Sequence, residues 1–187
     1  MKTLLTLFVL LFSFSLVADD ISDFEIEGIS IGDSLLDYYS KAEINNAPNY
    51  NDLPSDMKFT IVEMPKKGKY DILQIFYYTN DINYKIASIG GGISMDIDKC
   101  IKEQKQITED ISSTLNNDNV SGPSQITNQD DPSGESYYIR YNLYFDGGNA
   151  VIDCYHFSNQ VNWQDNMRIS IINHEAAEWV DRNYGLN

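Results

Sequence analysis

The chain has 187 residues, with 28 acidic and 13 basic side chains, so its formal net charge at pH 7 is −15. A chain this acidic repels phosphate backbones and anionic membrane surfaces, which argues against a nucleic-acid partner. The charge does not exclude a small molecule, a cation or a protein as the partner. The length suits one domain with a hydrophobic core of its own.

The first 18 residues have the pattern of a secretory signal peptide. Lys2 gives a positive start, and residues 4–17 are almost wholly apolar but shorter than the roughly 20 residues of a membrane span. Ala18 precedes Asp19, so we predict cleavage between them and no stable membrane insertion afterwards; the alternative is an uncleaved anchor. The expected product is an exported protein, periplasmic or secreted, with one domain over residues 19–187.

Hydrophobic alternation and turn residues divide the remaining chain into strands and helices. A short extended segment and two short helices come first. The polar stretch 116–135 is long for a loop, so it either forms a flap or contains a short strand near 124–127. The predicted strands are 58–64, 70–78, 84–89, 137–145, 150–157 and 167–172, and the two longer helices are about 95–116 and 174–184.

The long helix is the element around which we expect the fold to be organised, because its apolar residues form one stripe. Ser94 is a candidate cap for this helix, and Gly90-Gly91-Gly92 is expected to end the strand before it. Hairpin-length links imply a largely antiparallel sheet of about six strands, so the predicted fold class is α+β, with both longer helices packed on one face. The stripe consists of Ile97, Cys100, Ile101, Ile107, Ile111 and Leu115.

Cys100 and Cys154 are predicted to form a disulfide bond. In an exported protein a lone pair of cysteines is more often a disulfide than a metal site. Cys100 lies on the helix stripe, and Cys154 shares a strand face with Ala150 and Ile152, so both side chains point to the core. The alternative is two buried free thiols.

One motif is shared with serine hydrolases. Gly28-Ile29-Ser30-Ile31-Gly32 matches the G-x-S-x-G nucleophile elbow, with an extended segment before it and a helix after it. It begins too early in the chain for the strands of a hydrolase sheet to precede it, and the repeated β-α units that should follow are missing. We therefore interpret Ser30 as part of a turn and predict no catalytic residues.

A second motif resembles a zinc site. His174-Glu175-Ala176-Ala177-Glu178 nearly matches H-E-x-x-H, and a site of His174, Glu178 and His156 with Glu175 as general base can be drawn. Acidic residues in the first turn of a helix are expected from the helix dipole alone, so we predict no metal site and no cofactor. The acidic run at 128–132 lacks the spacing of a calcium loop, and the glycine run lacks that of a phosphate cradle.

Tyrosines occur as adjacent pairs at Tyr38-Tyr39, Tyr77-Tyr78 and Tyr137-Tyr138. Neighbouring residues on a strand face opposite sides, so we expect one tyrosine of each strand pair in the core and one on the surface. Exposed tyrosines suit ligand stacking or protein contacts. The alternative is that they serve strand propensity alone.

The stretch IEGISIGDSLLDYYS, residues 26–40, with Glu43-Ile44 after it, resembles the opening block of a family of small exported proteins from marine alphaproteobacteria with streamlined genomes. That resemblance implies an exported fold and no known activity. More loosely, a Gly-x-Ser turn that leads into short helices and then strands is similar to the outer-membrane assembly lipoprotein and β-lactamase-inhibitor-like domains. Those domains are binding modules, although the lipid-bearing cysteine is missing here.

The sequence therefore favours a non-enzymatic binding or accessory module that uses the tyrosine-bearing sheet surface and the 116–135 stretch. The alternatives are a small serine- or zinc-dependent hydrolase and an inhibitor or protein-interaction domain. The ligand or partner and the oligomeric state are left open.

Overall fold

The computed structural model describes most of the region predicted to be the mature domain. The predicted signal peptide and its cleavage site, Ala18–Asp19, lie outside the described residues, and within those residues no helix is long and apolar enough to cross a membrane. The described residues are 20–49, 57–65, 68–115 and 119–184.

The predicted α+β fold class is confirmed. In the described part of the chain, a two-stranded hairpin of β1 (Glu25–Ile26) and β2 (Ile29–Ser30) accompanies a seven-stranded sheet of order β3-β4-β5-β9-β8-β7-β6. All neighbouring strands in the large sheet are antiparallel. Its strands are β3 (Phe59–Met64), β4 (Ile72–Tyr78), β5 (Ile86–Ser94), β6 (Val120–Thr127), β7 (Tyr137–Phe145), β8 (Gly148–His156) and β9 (Asn166–Asn173).

Three α-helices accompany the strands in the same residues: α1 (Lys41–Asn46), α2 (Ile97–Leu115) and α3 (His174–Tyr184). Single 3-10 turns lie at Ile21–Asp23 and Leu35–Asp37. The predicted start of α3 is confirmed, because the Asn173 side chain accepts a hydrogen bond from the Ala176 N–H at 2.8 Å.

The two longer helices pack on opposite faces of the large sheet, so the prediction that both lie on one face is wrong. Helix α2 covers the face that carries Ile152 and Cys154, which we call the covered face. In α3, Trp179 belongs to a separate buried cluster with Phe59 and Ala87. Strand alternation places these residues on the other side, which we call the open face because α3 covers only one end of it.

The N-terminal segment, residues 20–49, completes the core on the covered face. Phe24 packs on Phe145 with ring centroids 4.6 Å apart, and Ile26, Leu35 and Ile44 are buried in the same cluster. The core therefore lies between the large sheet on one side and α2 with the N-terminal segment on the other.

Helix α2 differs from the prediction in where it begins and in which residues of its apolar stripe are buried. Ser94 does not cap it, because β5 continues through Ser94; the helix begins at Ile97, and Asp96 accepts a hydrogen bond from the Lys99 N–H at 2.9 Å. Ile101 is 37% exposed, whereas Gln104 is buried. The Gln104 amide donates to the backbone oxygens of Ile139 and Ile152, at 2.7 and 2.6 Å, and so ties the helix to the sheet.

The predicted disulfide between Cys100 and Cys154 is present. It joins the first turn of α2 to β8, and both cysteines are fully buried. The bond therefore fixes α2 on the covered face of the sheet, against β8.

The stretch 116–135, left open as a flap or a hidden strand, contains the edge strand β6. Its only described neighbour in the sheet is β7, and the register shifts between Ser121 and Ser124, around a cis Gly122–Pro123 peptide. Proline donates no backbone hydrogen bond, so an edge strand with an irregular register tolerates it.

The glycine run does not end a strand, contrary to the prediction, because β5 passes through Gly90-Gly91-Gly92 and pairs on both sides. The reason is the packing of a residue 21 positions upstream: a Cβ atom at Gly91 would collide with the buried ring of Tyr70. A side chain at this position would therefore displace the ring from the core.

Alanine substitutions at two neighbouring glycines test this packing. We expect Gly91→Ala to lower the free energy of unfolding by about 1–3 kcal/mol, the range typical of overpacking. Gly92→Ala is the matched control, because its Cβ would meet only Ile72 Cγ2, at an ordinary 3.5 Å, and alanine costs less backbone entropy than glycine in a strand. Urea unfolding measures both; equal losses at the two positions would contradict the role of Tyr70.

Candidate functional site

A groove of about 1030 Å³ lies on the open face, beside the part that α3 covers. We call it the sheet groove. Its floor includes Arg140 of β7 and Arg168 of β9, and the buried Asp153 lies between them in register on β8. Val180 of α3 lines one side, and residues 162–164 of the β8–β9 loop line another. The groove exists because α3 is short and leaves the centre of this face uncovered.

Arg140 and Asp153 form a buried ion pair in the floor. They are register partners, and two parallel hydrogen bonds of 2.8 Å join the guanidinium to both carboxylate oxygens. Asp153 is 3% exposed. Burial opposes the charge on Arg140, but the hydrogen bonds and charge of Asp153 outweigh it, so the pKa of the guanidinium is raised. The opposite charges of the two side chains offset each other, so the pair presents little net charge to a ligand.

Arg168 is different, because its charge has no close counterion in the described residues. Asp153 is its register partner, but both carboxylate oxygens bind Arg140. Arg168 makes one long hydrogen bond, 3.5 Å from Nη1 to Gln74 Oε1, and lies over the Tyr155 ring, 5.6 Å from its centroid. A guanidinium has five N–H donors, so most of those on Arg168 have no partner in the part of the chain that the structure describes.

Four aromatic side chains continue from the floor to the rim, and we call them the aromatic strip: Tyr138, Tyr155, Phe157 and Trp163. Successive ring centroids are 5.1, 5.8 and 5.2 Å apart. Trp163 is 55% exposed, whereas Tyr138 is 5% exposed and its buried hydroxyl has no hydrogen-bond partner among the described residues. Burial raises the pKa of Tyr155, so its hydroxyl stays protonated at neutral pH.

The loop that carries the outer half of the strip is fixed at both ends by Asp165. Its carboxylate accepts a hydrogen bond from the Phe157 N–H at 2.8 Å, and the other oxygen lies 3.0 Å from His156 Nδ1. The Asp165 backbone oxygen accepts from the Met95 N–H. The loop from Phe157 to Asp165 is thereby closed at its base, beside the groove.

The β6–β7 loop, on another side of the groove, is organised around the buried carboxylate of Asp131. It accepts hydrogen bonds from the hydroxyls of Ser133, Ser136 and Ser158, the last of which belongs to the β8–β9 loop. The hydroxyls of Ser136, Ser133 and Ser158, in that order, hold the pKa of Asp131 well below its ordinary value. One carboxylate thus ties together the two loops that flank the groove.

This network predicts a dependence of stability on pH. Folding lowers the pKa of Asp131, so its contribution is complete above about pH 4, the ordinary range of a carboxyl, and is lost as the pH falls through the folded value. We expect Asp131→Asn to lower the thermal midpoint at neutral pH and to flatten the decline below about pH 4. Asp130→Asn, at the exposed neighbouring position, is the control; matching profiles for the two variants would contradict the network.

The residues of the hydrolase motifs are not brought together. Ser30 lies in the β1–β2 hairpin, where its N–H donates to Asp33 at 3.0 Å, and the flanking glycines 28 and 32 have positive φ angles. His156 ends β8 and His174 follows β9; since these strands are antiparallel, the two histidines lie at opposite ends of the pair. Glu175 instead pairs with Lys58 at 2.5 Å, which with the Tyr78 hydroxyl lowers its pKa.

The tyrosine pairs follow the expected alternation only in part. Tyr77 is buried in the covered-face core, and Tyr78 is on the other face. In the second pair, Tyr138 is the more buried residue although it lies on the open face. Sequence reasoning did not single out Arg168, Asp153 or Trp163. The available signal was an arginine and an aspartate on the polar face of predicted strands.

The chain matches no protein-family model, and neither a curated protein nor a solved structure is found to be similar to it.

Proposed function

We propose that this chain is an exported, non-enzymatic binding module that holds a small polar ligand in the sheet groove. The observation that carries the proposal is the arrangement of the floor, where Arg168, which has no close counterion among the described residues, lies beside the aromatic strip. A cavity of this size is at the upper end of the range typical of small-molecule sites, which combine apolar walls with a few polar groups.

Two further observations support this reading over the hydrolase alternative. Ser30 lies in a hairpin and donates to Asp33 through its backbone, and the histidines lie at opposite ends of one strand pair. The groove is also concave, which favours a small molecule over a flat protein partner. Export is supported by the apolar start of the chain and by the disulfide, since disulfides persist in oxidising compartments.

The two tryptophans offer a direct test. Trp163 is exposed at the groove, while Trp179 is buried in α3. We suggest a panel of D-glucose, D-glucuronate, L-alanine, succinate and benzoate at millimolar concentration, with indole fluorescence and backbone amide NMR shifts as readouts. We expect one class to change the fluorescence and to shift groove amides, and Trp163→Phe to remove the fluorescence change.

Shifts that map instead to the second cavity, lined by Met57, Lys58 and Arg182, would contradict the assignment of the groove. The absence of any shift in groove amides across the panel would count against a small-molecule site and in favour of a protein partner.

A further inference from the structure

Resting on the function proposed above, we propose that the ligand is a small sugar acid, whose single carboxylate binds Arg168 and whose hydroxyl groups bind the amide side chains of the sheet groove. Two features of the groove lead to this class: the guanidinium donors of Arg168 that have no partner among the described residues, and the number of amides in the lining.

The carboxylate follows from the geometry of Arg168. Its one hydrogen bond within the described ranges, to Gln74, uses one of five donors and is long at 3.5 Å. A carboxylate is the planar acceptor that matches two parallel guanidinium donors. Arg140 does not compete, because Asp153 already occupies two of its donors. One open guanidinium in a chain of net charge −15 suits one negative charge and disfavours a polyanion.

The hydroxyl-rich body follows from the amides. Six asparagine and glutamine side chains line the groove, and each carries both a donor and an acceptor. Hydroxyl groups have the same dual character, so a sugar ring satisfies amides that an aromatic acid would leave unpaired. The exposed Trp163 ring offers a flat apolar surface for the C–H face of such a ring. The six are Gln74, Asn128, Gln129, Asn162, Gln164 and Asn166.

D-Glucuronate and D-glucose form a matched pair of probes, because they differ only in the carboxylate at C6. We expect calorimetry and amide NMR shifts to show that wild-type protein binds glucuronate at least tenfold more tightly than glucose. Arg168→Gln should remove this preference, and Arg168→Lys should restore only part of it, because lysine lacks the planar pair of donors. Arg182→Gln, which removes a cation elsewhere, should leave the preference intact.

Circular dichroism spectra and thermal midpoints show whether each variant is folded. Equal affinity for the two sugars, or a preference that survives Arg168→Gln, would overturn the role of Arg168 while binding in the groove stands. If succinate or benzoate shifts groove amides and glucuronate does not, the sugar-acid class is wrong although the binding function holds. If no probe shifts a groove amide, both proposals fail.

Discussion

Removal of the Cys100–Cys154 disulfide is expected to lower the free energy of unfolding by about 4 kcal/mol in the chain-entropy model. The cysteines are 54 positions apart, so the bond restricts a large loop in the unfolded chain. For a domain of this size the loss corresponds to a fall of about 10 °C in the thermal midpoint. The measurement is urea and thermal unfolding of the Cys100→Ala/Cys154→Ala double variant beside the wild type.

Alanine is the appropriate replacement because both cysteines are fully buried, and a serine hydroxyl at either position would be desolvated. Wild-type protein unfolded in the presence of a reductant is the control, since it loses the same bond without a change of sequence. A double variant with the same midpoint as the oxidised wild type would show that the bond does not stabilise the fold. Agreement between the double variant and the reduced wild type would attribute the whole loss to the cross-link.

The predictions that succeeded depend on local chemistry. The strand at 137–145 was predictable because side chains on a strand alternate whatever the rest of the chain does, and on β7 Ile139 and Leu143 face the covered side while Arg140 faces the open side. The start of α3 at residue 174 was predictable for a similarly local reason, since asparagine at position 173 is a residue type that caps helices. The disulfide was predictable because each cysteine lies on the apolar face of its own element.

The predictions that failed depend on contacts between distant segments. The glycine run resembles a strand end until the ring of Tyr70 is packed against Gly91. Hydrophobic periodicity shows that α3 has an apolar side, but not which face of the sheet receives it. The side of the sheet on which α3 packs is marked by Ile172. Ile169 and Ile171 of β9 belong to the covered-face core, whereas Ile172 packs against the open-face cluster that contains Trp179 of α3.

The candidate site was the least predictable feature for the same reason. The short Asp146-Gly147 turn sets the register of β7 and β8 and so pairs Arg140 with Asp153. Arg168 joins them only through the pairing of β8 with β9, whose longer connection does not specify a register. Trp163 lies in a loop, where residue type alone does not distinguish an exposed ring from a buried one. The floor of the groove is therefore a product of tertiary structure.

Substitution of Asp153 tests that floor and is expected to have an effect as large as loss of the disulfide. Asp153→Ala leaves the Arg140 guanidinium, whose side chain is 18% exposed, without its only carboxylate partner in the described residues. Breaking a buried pair from one side typically lowers the free energy of unfolding by about 3–5 kcal/mol, because the remaining charge stays desolvated. Chemical unfolding measures the loss.

Two further variants separate this effect from a general sensitivity of the sheet to substitution. The double variant Arg140→Met/Asp153→Leu replaces the pair by apolar side chains and should be more stable than Asp153→Ala, since no charge is left uncompensated. Glu103→Ala breaks the exposed pair of Lys99 and Glu103 on α2 and should change stability by less than about 1 kcal/mol. If the double variant is no more stable than Asp153→Ala, the loss comes from altered packing and not from the unpaired charge of Arg140. Side-chain packing, rather than the ion pair, would then account for the stability of the groove floor.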